Sequence, residues 1–413
     1  MHAGFGCVLL IALSISTSGF SQKEVKTFYD VEENQLKEIY EIKGNGNRNG
    51  SYIKYHFDGE IIVQGQYEND LKTGNWLYFH SNGVRSAIGN FKNDTISGSW
   101  TYYYRSGQKS SEGTFLKGFK DGHWTTYDPS GRINGQGDFN VGEGSFADLF
   151  PDGKIQRLTN FSKGQKNGET RIYYPDGKLQ QVGNFVNDTL TDTLKVYYPN
   201  SKIKSKSHFV MGKLEGTVYE YYETGILKEE IPYLDGKLNG INKQYYESGQ
   251  LKNEANYING VMKGLYNTYH PNGQLYTTSI QNNNSKEGLF KTYDESGNLI
   301  AESEYKNGKQ NGLSKSYFAN GKVKSVYQFK SGAKTGENLD YFENGDLKAK
   351  EVYTNREQNL LIEEYYPGGI LKSIRNFSKG KPDGEWIDYD ELGNQVDIKN
   401  FKNGKLLPIE SNK

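Results

Sequence analysis

Counted from one recurrent glycine, apolar and polar residues alternate along this chain in a fixed order. The second residue after that glycine is aliphatic in many copies, as in Ile61, Ile133, Ile155, Leu179, Leu227, Leu251, Leu299 and Leu371. The eighth is aromatic, as in Tyr67, Phe91, Phe115, Phe139, Phe161, Phe185, Phe209 and Tyr233. The fourth and sixth are often small, as in Ala87 and Gly89 or Ser205 and Ser207. The residues between carry charge, as in Lys252 and Glu254 or Glu302 and Glu304. Side chains of a strand alternate between faces, so the pattern predicts a strand with one packed face and one wet face.

The counting glycine recurs at fifteen positions from Gly59 to Gly393, with Ser201 in one of them. Every step is 24 residues except Gly131 to Gly153, which is 22. A second glycine lies nine residues earlier in most copies, as at Gly74, Gly98, Gly122, Gly216, Gly240 and Gly264. Asp192 and Leu360 replace it in two copies. Between the two glycines runs a first strand rich in aromatics, such as Thr217-Val-Tyr-Glu-Tyr-Tyr222. Turns such as Pro175-Asp-Gly177 and Asp235-Gly236 close the unit at its two ends, glycine taking the positive φ that they need. Each unit reads as one β-hairpin too small to bury its own face, so its stability must come from neighbours. The fold expected is all-β: an elongated, twisted antiparallel sheet, a solenoid-like array of about fifteen hairpin repeats. Its expected organisation is a signal peptide at 1–21, a degenerate cap repeat at 22–49, the array at 50–404 and a short tail at 405–413. The two residues lost from the short unit are expected to come from a connecting loop. The stretches Asn187–Ser201 and Asn355–Leu361 break the glycine pattern, which reads more as drift in a redundant array than as a built site.

Composition sharpens this picture. Only 34% of the 413 residues are hydrophobic, too few for several thick cores, yet 33 Tyr and 20 Phe argue against disorder. Lys+Arg and Asp+Glu are both 50, so net charge gives no reason to expect nucleic acid or an anionic membrane as partner. The apolar run Phe5–Leu13, followed by small and polar residues to Ser21, reads as a secretory signal cleaved near Ser21. It is too short for a membrane span. The single cysteine, Cys7, precedes the end of that run, so the mature chain is expected to be a soluble secreted, periplasmic or envelope protein without thiol chemistry.

No pattern for catalysis emerges. His56, His80 and His270 occupy one repeat position that is Tyr104, Tyr174 or Phe318 elsewhere, so they read as aromatic stand-ins. Adjacent carboxylates such as Glu229 and Glu230 point to opposite faces and cannot share a proton. No metal-ligand spacing or phosphate-binding loop is found. A non-enzyme without cofactor or metal is therefore expected. Tyr recurs at the fifth residue of the first strand and Trp at its second, so aromatic ladders should stack from repeat to repeat. Trp76, Trp100, Trp124, Trp386, Tyr103 and Tyr127 are the candidate interaction surface.

Units such as Gly168-Glu-Thr-Arg-Ile-Tyr-Tyr-Pro-Asp-Gly-Lys-Leu179, followed by Asn184-Phe-Val-Asn-Asp188, resemble the bacterial variant of the MORN repeat. The resemblance covers residues 45 to 405. It implies a sheet of successive hairpins and a scaffold that binds another protein, of unspecified identity. Some members of that family are catalogued as antitoxins, which makes neutralisation of a toxin a second expectation. An export signal departs from that role, since a partner for a cytoplasmic toxin should stay inside. A third expectation is carbohydrate binding, to a glycan or other envelope component, through exposed Trp and Tyr. Units such as Tyr293-Asp-Glu-Ser-Gly-Asn-Leu299 also look like the tyrosine–aspartate repeats of toxin shells, although most units carry Tyr-Tyr instead.

Overall fold

The computed structural model describes residues 22–354 and 358–408. The expected signal segment 1–21, part of the irregular stretch after Thr354 and the end of the tail lie outside the described residues. The chain divides into two units, Met1–Thr189 and Leu190–Lys413. Among the described residues there are thirty-seven strands and no helix, and every strand pairing is antiparallel.

In the first unit each strand pairs with the strands before and after it in sequence. The hairpin Lys23–Phe28 and Leu36–Ile42 leads into Arg48–Tyr55, and the same succession reaches Leu179–Val186. At one end of each hairpin the counting glycine closes a tight turn. Gly83 has φ of 73° and donates its N–H to the His80 carbonyl at 3.0 Å. At the other end Asn93 and Asp94 both take positive φ, the conformation of the primed hairpin turns that match strand twist. These exit turns are tied to one another. Asp94 N donates to the Lys72 carbonyl at 3.0 Å, and Lys72 N donates to the Asp94 carboxylate at 2.7 Å.

The opening glycine has a different task. Gln66 faces Thr73 and Gln64 faces Leu77, so the first strand carries two extra residues opposite Gly65. Gly74, at φ of 63°, turns this bulge. A second irregularity sits after the counting glycine, where Tyr127 faces Ile133 but Thr126 already faces Gly135. It re-aims the aliphatic second residue. Ile133 is 48% exposed and Ile155 42%, so this position leaves the packed face to which the alternation assigns it. The fourth, sixth and eighth residues do share that face: Val63 and Tyr67 are buried, with Gly65 between them.

The short unit differs from its expected form. Its exit turn, Val141-Gly142, keeps both residues, and the strands Ile133–Asn140 and Glu143–Leu149 pair in unbroken register. The two missing residues are those of the opening bulge, not of the loop.

The second unit repeats the plan from the strand Thr189–Tyr197, whose first residue ends the first unit, to Lys405–Leu406. The bulge splits several first strands, so that Lys213–Leu214 and Gly216–Tyr221 both pair with Ile203–Val210. Asp192 and Ser201 adopt φ of 63° and 67°, the backbone of the glycines they replace, so the fold tolerates this drift at a local cost. Where Leu360 replaces the opening glycine, Leu347–Thr354 and Asn359–Tyr365 pair without a bulge.

Candidate functional site

The packed face of the first unit is an aromatic ladder built from a recurring pair of positions. The sixth residue after the counting glycine forms a slot. The second residue after the next opening glycine, eleven residues on, plugs it from the neighbouring strand. A Cβ on Gly65, Gly89 or Gly113 would overlap the ring of Trp76, Trp100 or Trp124 respectively. Each indole therefore lies flat on bare backbone. Trp76 is fully buried, with Trp100 at 3% and Trp124 at 2% exposure. Edge contacts tie them to the eighth-residue rings: Phe91 to Trp100 at 5.4 Å and Phe115 to Trp124 at 4.9 Å between centroids. The indole N–H groups of Trp100 and Trp124 donate to the carbonyls of Asn90 and Thr114. Lysines close the exit-turn end. Lys72 Nζ lies 4.5 Å from the Trp76 ring and Lys120 Nζ lies 4.5 Å from the Trp124 ring. Burial pushes the pKa of both lysines down.

The same slot is filled by other chemistry further on. In the first unit Gly137 faces Phe146 and Thr159 faces Thr170. In the second, Ala255 faces Tyr266, and Ser303 meets Ser314 through a hydroxyl hydrogen bond of 2.7 Å. Arg375 lies 5.3 Å from the Trp386 ring, which also contacts Phe377 and Phe401. In most repeats a large plug meets a small slot, the pair Arg375 and Trp386 being an exception; where the slot residue is Tyr327 the plug position holds Asn338, which is itself buried.

This placement corrects the expected interaction surface. Trp76, Trp100 and Trp124 are the core of the first unit, because a glycine slot admits the whole indole. Trp386 is half-buried among its own repeat's neighbours. Tyr103 and Tyr127 lie on the opposite face and are half-buried. The Tyr127 hydroxyl donates to Glu112 at 2.6 Å, and that carboxyl is held below its usual range, first by Lys109 and then by Tyr127. Tyr245, Tyr269 and Tyr317 make the same bond to Glu230, Glu254 and Glu302 at 2.7–2.8 Å. Burial, and then these bonds, push the three phenols up to about 12.

In several repeats the first residue of the tight turn links one repeat to the next. Hydroxyls of Tyr104, Tyr198, Tyr222 and Tyr246 donate to the carbonyls of Tyr127, Tyr221, Tyr245 and Tyr269. His80 Nε2 and His270 Nε2 make the same contact with Tyr103 and Tyr293 at 2.9 and 3.0 Å. These histidines do the work of a tyrosine, as their shared repeat position suggests. Among the described residues no group of three His, Cys, Asp or Glu is placed to hold a metal, and no helix is long and apolar enough to cross a membrane.

In the second unit the face opposite the slots carries an apolar stripe that the periodicity did not flag. Ile241, Leu265, Leu289 and Leu313 follow successive opening glycines, and Ile280 faces Leu265 directly. They are 53, 58, 41, 38 and 50% exposed in that order. The signal lay in one repeat position that is polar from Ser51 to Thr217, aliphatic from Ile241 to Leu313 and polar again at Glu337.

Stacked hairpins, one slot per interface and turn-to-turn ladders define a repeat protein. The family model for the MORN repeat variant matches nine segments: 72–93, 97–117, 166–187, 193–211, 214–235, 238–259, 286–307, 310–331 and 334–355. The chain belongs to the MORN-repeat proteins. No curated protein matches its sequence. Among solved structures, a chain of the Photorhabdus luminescens Tc holotoxin pore is matched at 10% identity with a TM-score of 0.15. That match covers 90% of this chain and 22% of the holotoxin chain, so the protein spans about a fifth of that relative's length.

Proposed function

We propose that this repeat scaffold is a non-enzymatic, exported binder of another protein, and that it binds through the aliphatic stripe of its second unit. The observation that carries the reading is the run Ile241, Leu265, Ile280, Leu289 and Leu313, exposed along consecutive repeats. Apolar residues that recur along one sheet face, with Leu265 and Ile280 in direct register and with Asn256, Glu304, Gln328, Lys243 and Lys291 set among them, give the mixed apolar and polar composition of a protein-binding patch. Export rests on the apolar run before Ser21. Carbohydrate binding would have to use Trp386, Tyr103 and Tyr127, because Trp76, Trp100 and Trp124 are buried. Toxin neutralisation rests on family likeness alone.

The test is affinity capture from envelope extract with the chain and with a Leu265→Glu/Leu289→Glu variant. Both substitutions lie on the solvent face, so the variant keeps its circular dichroism spectrum. One or a few proteins retained by the parent and lost by the variant is the expected outcome. An identical set retained by both rules out the stripe as the binding surface.

A further inference from the structure

The short repeat of the first unit leaves a hole in the ladder. In neighbouring repeats a long side chain stands across from the eighth-residue aromatic on the following strand: Lys72 opposite Tyr67, Ile96 opposite Phe91, Lys120 opposite Phe115. Opposite Phe139 stands Gly144. A Cβ there would run into the Asp138 carbonyl, and Gly142 is likewise crowded by Phe119 and Lys163, so neither position accepts a side chain. Beside this pair lies a cavity of about 120 Å³ lined by Lys120, Phe139, Gly142, Phe146, Phe161 and Gly164. Its one charged lining group is Lys120, whose Nζ lies 5.5 Å from the rings of both Phe139 and Phe146. No carboxylate pairs with Lys120 among the described residues. The nearby acids are committed elsewhere: Asp121 accepts from Val141 N, and Glu143 accepts from Lys163 N and the Ser162 hydroxyl.

We propose that this cavity binds a carboxylate carrying a short aliphatic tail, the carboxylate on the Lys120 ammonium and the tail between Phe139, Phe146 and Phe161. An ammonium without a counter-charge excludes a cation from these ring faces and favours an anion. At about 30 Å³ per water molecule, the space takes a tail of roughly three or four carbons. The site lies in the first unit and is independent of the stripe in the second. The carboxylate belongs either to a free small acid or to the last residue of a peptide ending in an aliphatic side chain.

Isothermal titration calorimetry with four probes decides: 3-methylbutanoate, its neutral amide, a short peptide ending in a free leucine carboxylate, and the same peptide amidated. Binding of the free acid or of the free-carboxylate peptide is expected, with the neutral counterpart at least tenfold weaker. Which of the two binds identifies the source. Lys120→Met, a residue type that stands at the equivalent position as Met262, should cost at least tenfold. Phe161→Trp, which retains Lys120 but fills the space, should abolish binding. Equal binding of acid and amide, unchanged affinity in Lys120→Met, or no binding of any probe at millimolar concentration overturns the proposal.

Discussion

Replacing Gly89 by alanine places a methyl group under the Trp100 ring, at a distance below the 3.0 Å that real Cβ atoms keep. The ring cannot swing away freely. Phe91 holds it at 5.4 Å, Tyr102 at 5.8 Å and Tyr78 at 6.2 Å between centroids, and its N–H is bound to the Asn90 carbonyl. Overpacking of this kind costs about 1–3 kcal/mol, and a ring fixed on every side puts Gly89→Ala near 3 kcal/mol. Trp100→Val empties the slot and costs about 3 kcal/mol or more, as large-to-small core changes do. The chain itself holds the remedy: Ser207 and Val218 occupy these two positions in the second unit. Gly89→Ser with Trp100→Val should therefore be more stable than the sum of its single variants by at least about 1 kcal/mol. Urea unfolding followed by circular dichroism, run as a double-mutant cycle, reads this coupling. Strict additivity of the two substitutions would refute the slot-and-plug account.

Further consequences are open to equally direct measurement. Ser201→Gly removes a left-handed serine with φ of 67° and should raise stability by about 1 kcal/mol in the same urea assay; a loss would contradict the strain assigned there. Deleting 90–113 joins Gly89 to the strand of Trp124 and keeps a matched slot, whereas deleting 241–264 sets Ile231 against Tyr266, so the first deletion should melt at the higher temperature. The phenols of Tyr245, Tyr269 and Tyr317 rise from 10.0 to about 12 on folding. Their contribution is complete below pH 10 and is lost as pH climbs through 12, so phenolate absorbance and loss of β signal should rise together across that window. The native protein should begin near Gln22 or Lys23 on N-terminal sequencing; an intact Met1 would contradict export.

Much of this architecture was legible because its constraints repeat. Positive φ at the two turns demands Gly, Asn or Asp, so the spacing of those residues is the spacing of the hairpins. His80 and His270 could be read as tyrosine substitutes because they fall in register with Tyr104. The tryptophans were placed correctly in a ladder yet assigned to a surface, since abundance of aromatics does not say which face is covered. The deciding signal was the glycine eleven residues earlier, at Gly65, Gly89 and Gly113, whose missing side chain makes room for each indole. The exposure of Ile133 was not legible, because alternation assumes an unbroken strand and the local register shift breaks it. The cavity beside Lys120 arose from losing a bulge, which a residue count alone cannot distinguish from a shortened loop.

The central claim is that each repeat meets the next through one fixed cross-strand pair, and a cysteine pair tests it most directly. Ser303 and Ser314 face each other with hydroxyl oxygens 2.7 Å apart, and Ser303→Cys/Ser314→Cys puts two thiols in that contact. Cys7 is replaced by serine to remove the one native thiol. Under mild oxidation, intact-mass and peptide mapping should show complete conversion to an internal disulfide linking those positions. The offset pair Ser303→Cys/Lys315→Cys, whose side chains leave the strand on opposite faces, should stay reduced. A disulfide in the offset pair, or free thiols in the matched one, would contradict the register on which the whole account stands.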